Sequence, residues 1–192
     1  MYVDEVTPSL IYNDKESKVI YRKYGHAGDF EKCYDLGQEC FEDIYNTYFF
    51  WRYLSLWPHI CIMATNYKGQ LIGFCMGETK IEAIGHKSAY ISMVCVHPNY
   101  RNIGIAKNLM QIQMSFLNDE LVKEVNLDVM ADNLDASNIY EKLGFKKMFH
   151  LNNYYSSLES GFRMHFLMED YKSNEPSKEI KNLHQEGNVE GI

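Results

Sequence analysis

Val94-Cys95-Val96-His97-Pro98-Asn99-Tyr100-Arg101-Asn102-Ile103-Gly104-Ile105-Ala106 is the stretch that decides the fold. Its front end closes an apolar, β-branched run, Ala89 to Val96, that reads as a buried strand. Its back end opens an amphipathic run, Ile105 to Leu117, with helical spacing. A helix start leaves its first N–H groups without carbonyl partners and carries the positive end of the helix dipole, so such a junction can take an anion. Gly104 lets backbone approach a phosphate with no side chain between. Ala106 is small for the same reason, and Arg101 adds charge. On the glycine alone, an ordinary strand-to-helix loop is the plainer reading.

Working outward toward the C-terminus, Val122 to Val129 reads as a strand, Leu134 to Leu143 as a helix, and Phe145 to Tyr155 and Phe162 to Leu167 as strands. Asn133 is placed to cap the helix, Ala136 and Tyr140 share one of its faces, and Gly144 suits a left-handed C-terminal cap. Tyr140 standing as a core tyrosine is the plain alternative to a chemical role. Toward the N-terminus, Ile60 to Tyr67 and Leu71 to Thr79 form a hairpin across Lys68-Gly69. The aromatic run Tyr48 to Leu56 reads as a helix stopped by Pro58, and His26 to Phe41 as a helix weakened by Gly37. Val19 to Tyr24 alternates as a first strand. Residues 1–17 read as a polar N-terminal extension, 18–169 as the domain, and 170–192 as a polar, flexible tail. The order β-α-α-β-β-β-α-β-α-β-β predicts an α/β (α+β) domain with a mixed sheet and helices on both faces.

Composition narrows the function. The net charge of −7 argues against a nucleic-acid binder, which needs a basic surface to neutralise phosphates. It leaves room for an anionic ligand held by local backbone groups. The 5 cysteines form no Cys-x-x-Cys pair, and the 7 histidines show no zinc spacing, so a reduced cytoplasmic protein without a metal is expected. The first residues carry Asp4 and Glu5 and no basic segment, so no signal peptide is read. No apolar run approaches the ~18 residues of a membrane span.

The spacing Arg-x-x-Gly-x-Ala after Val-x-Val-His-Pro resembles the acyl-CoA-binding motif of the GNAT superfamily of N-acetyltransferases. Asn133-x-x-Ala136-x-x-x-Tyr140-x-x-x-Gly144-Phe145 is similar to a second segment of that superfamily, in the expected order. The stretch Phe49-Phe50-Trp51-Arg52-Tyr53-Leu54-Ser55-Leu56-Trp57-Pro58, the run Gly69 to Gly77, and Asn153-Tyr154-Tyr155-Ser156 resemble the catalytic subunits of NatB-type N-terminal acetyltransferases. The likeness covers roughly residues 19 to 168 and not the tail.

That resemblance implies a GNAT sheet of about seven strands with about four helices, and acetyl-CoA as cosubstrate. Val94 and Val96 would pair with the pantetheine arm through their backbone. Arg101, Asn102, Gly104, Ile105 and Ala106 would hold the pyrophosphate, with Asn133 and Tyr140 near the thioester. Asp43, Tyr45 and Asn46 would meet the first residues of a peptide, and Tyr154 and Tyr155 would flank it. It implies a large helical auxiliary subunit, ribosome association through that subunit, and part of the surface from His26 to Trp57 as an apolar patch for it.

Two positions depart from the family pattern: Asp43 where a Glu is usual, and Tyr90 where a His is usual. Both concern substrate choice. NatB-type enzymes acetylate Met followed by Asp, Glu, Asn or Gln. Phe49 and Phe50 are expected to wall a slot for Met, and Tyr90, Ser92 and Tyr155 to offer hydroxyl donors to the second side chain. Without an imidazolium at Tyr90, acids and amides are expected to react within about tenfold of each other. The expected chemistry is direct attack of an α-amine on the thioester, with Tyr140 donating to the leaving thiolate. The alternatives are a GNAT enzyme of another N-terminal class, one acting on a small amine such as a polyamine, and a non-catalytic acyl-CoA-binding module.

Overall fold

A computed structural model of the chain describes residues 10–41, 44–155 and 159–171. These form strands β1 (Leu10–Asp14), β2 (Val19–Lys23), β3 (Ile62–Asn66), β4 (Leu71–Ile81), β5 (Lys87–Val96), β6 (Glu124–Met130), β7 (Lys146–Leu151) and β8 (Gly161–Leu167). The helices are α1 (Asp29–Phe41), α2 (Thr47–Leu56), α3 (Ile105–Asp119) and α4 (Leu134–Lys142). All eight strands join one sheet in the order β1-β2-β3-β4-β5-β6-β8-β7. Every pairing is antiparallel except β5 with β6.

The sheet has one strand more than expected. β1 lies within the stretch read as an extension and pairs with β2 around a turn where Asp14 Oδ1 accepts the N–H groups of Glu16 and Ser17, both at 3.1 Å. Only Ile11 of its side chains is buried, so the strand has almost no apolar alternation to announce it. β7 is shorter than the expected run from Phe145 to Tyr155. It ends at Leu151, and Asn153 turns the chain back at φ 48°, which puts Tyr154 and Tyr155 in the return loop.

α1 and α2 cover one face of the N-terminal half of the sheet, with Cys33, Leu36, Phe50 and Leu54 packed on Met63, Phe74 and Met76. Gly37 sits inside α1 because a Cβ there would lie 2.3 Å from the ring of Phe50, so its absence lets the two helices meet. Asp29 starts α1 fully buried, with Arg22 donating twice at 2.7 Å and Gly25 and His26 donating through their backbones. α3 and α4 cover the other face: Met110, Met114, Ala136 and Tyr140 pack with Ile91, Val125, Leu127 and Val129.

A bulge in β5 sets up everything that follows. Met93 faces Met76 and Ile91 faces Gly77, so Ser92 has no opposite residue. Before it, Ala89 and Ile91 point to the α3 side; after it, Met93 and Cys95 point to the α1–α2 side. β5 pairs with β6 only from Ser88–Glu124 to Ile91–Leu127, although β5 runs on to Val96 and β6 to Met130. The two parallel strands part there and leave a wedge.

Candidate active site

The wedge has one wall made of backbone. No strand lies along the outer edge of residues 92–96 among the described residues, which leaves main-chain groups around Val94 and Val96 for an extended ligand. The Val96 carbonyl itself takes Arg101 Nε at 3.1 Å. The turn continues through a 3-10 segment, Pro98–Tyr100, steadied by His97, whose Nδ1 accepts the Asn99 N–H at 3.1 Å and whose Nε2 lies 3.2 Å from Glu39 on α1. Asn102 and Gly104 both take left-handed conformations, at φ 66° and 88°. The first backbone bond of α3 runs from Asn108 N to Gly104 O at 3.0 Å, so the N–H groups of Ile105, Ala106 and Lys107 are unclaimed by the helix. A Cβ on Gly104 would meet nothing within 4 Å. Open space over three N–H groups and a helix dipole fits a diphosphate.

α4 reaches the wedge from the side. Asn133 caps it, its Oδ1 accepting the Ala136 N–H at 3.1 Å. Tyr140 leans on Phe145 at 6.2 Å between ring centroids, and its hydroxyl has no hydrogen-bond partner among the described residues. Burial pushes its pKa up to about 12, so the hydroxyl keeps its proton near neutrality and can donate it.

The opposite wall is made of side chains. The face of β6 and β8 turned away from α3 carries Asn126, Asp128, Arg163 and His165. Asp128 is the first residue beyond the last β5–β6 pair and lies directly opposite Arg163. Arg163 binds it bidentately, Nε to Oδ1 at 2.8 Å and Nη2 to Oδ2 at 2.9 Å, and Tyr90 Oη donates to Oδ2 at 3.0 Å. Burial on its own would raise the Asp128 pKa, but hydrogen bonds from Arg163, Tyr154 and Tyr90 outweigh it and hold the carboxyl below the usual carboxylate range. Burial first, then the Asp128 charge, push Tyr90 upward; the same two causes, in the same order, raise Tyr155. Tyr154 and Tyr155 meet edge to face at 5.3 Å beside this cluster.

Neither Asp128 nor Arg163 is among the residues singled out by sequence. Their signal was the alternation Glu124, Asn126, Asp128 against Val125, Leu127, Val129, which marks one open face on a strand whose other face is core.

The α1–α2 connection forms the third side. Asn46 Oδ1 accepts the Phe49 N–H at 3.0 Å and caps α2. Tyr45 stacks on Phe49 at 4.4 Å and meets Phe41 edge-on at 5.6 Å. Asp43 lies outside the described residues, as does Ser156. Three expectations change. Phe50 is fully buried between α1 and β4 and cannot wall a slot; its place in the helix repeat faces the core. Tyr90 spends its one proton on Asp128 and so faces the wedge as an acceptor. Ser92 Oγ donates to the Met76 carbonyl at 3.0 Å, within the bulge.

A model of the acetyltransferase (GNAT) family matches residues 30–145. The chain belongs to the GNAT acetyltransferase family. The catalytic subunit NAA20 of the N-terminal acetyltransferase B complex from Arabidopsis thaliana is 33% identical over 64% of this chain and 70% of its own length. N-alpha-acetyltransferase 30 of Saccharomyces cerevisiae is 28% identical over 62% and 70%. Among solved structures, the NatC complex bound to Gag peptide and CoA superimposes with a TM-score of 0.75 at 24% identity, covering 78% of this chain and 98% of that one. No described helix of the chain is long and apolar enough to cross a membrane.

Proposed function

We propose that the protein transfers an acetyl group from acetyl-CoA to the α-amine of protein N-termini, with Met followed by Asp, Glu, Asn or Gln as the preferred ends. One observation carries this reading: at the mouth of the wedge a carboxylate is held anionic under two tyrosines and an arginine, with the Tyr154–Tyr155 wall beside it and Tyr45 close enough to Tyr155 to affect its ionisation. An amine approaches an acceptor-rich point there, and an extended backbone finds the Tyr154–Tyr155 wall beside it.

The chemistry uses groups already in place. Near pH 7 a fraction of an α-amine is neutral, since its pKa is about 7.7–8.0. Its nitrogen attacks the thioester carbonyl, forming C–N and breaking C–S. The attacking nitrogen donates a hydrogen bond to Tyr90 Oη, whose own proton stays on the 3.0 Å hydrogen bond to Asp128. The anion stabilises the positive charge that develops on nitrogen, and the proton the nitrogen sheds leaves to solvent. Tyr140 protonates the departing thiolate. Val94 and Val96 would align the pantetheine arm, and Arg101, Asn102, Gly104, Ile105 and Ala106 the pyrophosphate.

The exposed side chains Ile44, Tyr48, Trp51 and Leu56 support a partner on the outer face of α2, as the resemblance implies. Tyr48 and Trp51 stack at 5.8 Å yet are 65% and 49% exposed, an apolar surface a lone subunit has no use for. A helical auxiliary subunit is the proposed occupant. The similarity to N-alpha-acetyltransferase 30 favours a second reading, an N-terminal acetyltransferase of another class. An acetylation panel of Met-Asp, Met-Glu, Met-Asn, Met-Gln, Met-Leu and Ser-Ala peptides with spermidine tests these readings. The four polar ends should lead. Preference for Met-Leu selects the second reading, and turnover of spermidine alone overturns both.

A further inference from the structure

The open face of β6 and β8 carries a cation with unused donors. Arg163 commits Nε and Nη2 to Asp128, while Nη1 has no partner among the described residues. Its side chain is 38% exposed against 4% for Asp128, so the carboxylate lies deep and the guanidinium lies toward solvent. The bidentate pair also fixes the plane of the fork, and Tyr90 flanks it with its ring centroid 5.9 Å from Cζ.

We propose that Arg163 reads the second side chain of the substrate peptide through Nη1 and selects side chains that accept hydrogen bonds. The inference rests on the α-amine reading above and deepens it. Adjacent strands stand about 4.7–4.9 Å apart, and an extended peptide advances about 3.3–3.6 Å per residue. The strands set only the backbone distance: at the side-chain tips Tyr90 Oη and Arg163 Nη2 lie 3.0 and 2.9 Å from the same Asp128 Oδ2, so a peptide with its amine at Tyr90 and leading outward reaches the guanidinium within about one to two residues. Tyr90 cannot supply the donor expected of it, because its proton is committed. The cationic donor missing at Tyr90 is thus present two strands away, on Arg163.

The electrostatics favour acids first. Asp128 and Arg163 together are neutral, so an incoming carboxylate is not met by net negative charge, and its bond to Nη1 is charge-assisted. An amide oxygen makes the weaker, neutral-acceptor version. A leucine displaces water from Nη1 and returns no acceptor, leaving a donor unpaired. Acids should therefore lead amides, and amides should lead leucine.

Arg163 could instead serve only to position Asp128, and the two roles separate by ratio. Steady-state kinetics with Met-Glu, Met-Gln and Met-Leu peptides would be measured for the wild type, Arg163→Gln and Asp128→Asn. If Arg163 reads the side chain, Arg163→Gln lowers kcat/KM for Met-Glu relative to Met-Leu by about tenfold or more, chiefly through KM. Asp128→Asn lowers all three peptides by removing the anion at the amine end; because it also frees the guanidinium fork and leaves its charge unbalanced, the ratio is read from the Arg163 variants. Should Arg163→Gln fail to fold, Arg163→Met is read the same way, since it keeps the unbranched stem and removes every donor and the charge. Equal loss on all three peptides in the Arg163 variants overturns the proposal. So does a wild type that prefers Met-Leu, although the α-amine reading survives that result. A wild type that acetylates no α-amine overturns both.

Discussion

The two walls of the wedge, each proposed to hold one reactant, are built in opposite ways. The turn from Val96 to Ala106 is one contiguous segment that works through N–H groups and a left-handed glycine. The amine wall draws Tyr90 from β5, Asp128 from β6, Arg163 from β8 and two tyrosines from the loop after β7. A backbone site depends on conformation and empty space, so most side chains on it can change with little effect. A side-chain site depends on every member, and sheet register, not sequence distance, decides who the members are. The two walls should therefore fail differently when mutated.

The largest failure is expected at the backbone wall. Gly104→Glu puts a Cβ on a residue at φ 88° and a negative charge into the open space over the α3 N–H groups. Acetyl-CoA affinity should fall by on the order of a hundredfold or more, read by calorimetry on a sample whose circular dichroism is unchanged. Unchanged affinity in a folded variant would move the diphosphate elsewhere.

Between the walls, Tyr140→Phe keeps the ring against Phe145 and removes one donor. Turnover should drop about ten- to a thousandfold with acetyl-CoA affinity nearly intact. Wild-type turnover would leave Tyr140 a packing residue of α4.

The amine wall makes a claim about pH. Because Asp128 is held below the usual carboxylate range, it stays anionic from pH 5 upward. kcat/KM should then rise with pH up to about 8 on the ionisation of the α-amine alone. A second break between pH 5 and 7 would show the cluster itself titrating. The same depressed value carries a stability term with a definite sign. It is present above the unfolded carboxyl pKa of about 3.9 and is lost as pH falls through the folded value.

The smallest effect separates a cap from a catalytic group. The resemblance implies a place for Asn133 near the thioester, but its Oδ1 is bound to the Ala136 N–H. Asn133→Ala should cost about 1 kcal/mol of stability, seen as a lower Tm, while turnover stays within a few-fold. A large loss of turnover at constant Tm would return Asn133 to the chemistry.

These differences also explain what could be read before the fold was known. The strand-to-helix turn from Val96 to Ala106 was legible because its parts are neighbours: a β-branched strand, a glycine three residues after an arginine, and an amphipathic helix. α4 was legible for the same reason, down to its Asn133 cap and Gly144 stop. Asp128 and Arg163 stand 35 residues apart and meet only through the antiparallel register of β6 and β8. β1 escaped because a five-residue edge strand with one buried side chain has too little pattern. Phe50 was assigned to a slot because an all-round aromatic helix does not declare which face is buried until Gly37 admits its ring. The role of Tyr90 turned on where a single proton points, which no spacing encodes.

The central claim is that the acetyl group goes to an α-amine held at the Asp128–Tyr90 end of the wedge. Its most direct test is tandem mass spectrometry of a Met-Asp peptide with an internal lysine, after incubation with the protein and acetyl-CoA. Acetate should appear on the N-terminal amine and not on the lysine, and an otherwise identical peptide with a blocked N-terminus should stay unmodified. Acetylation of the lysine side chain, or equal acetylation of the blocked peptide, would contradict the account.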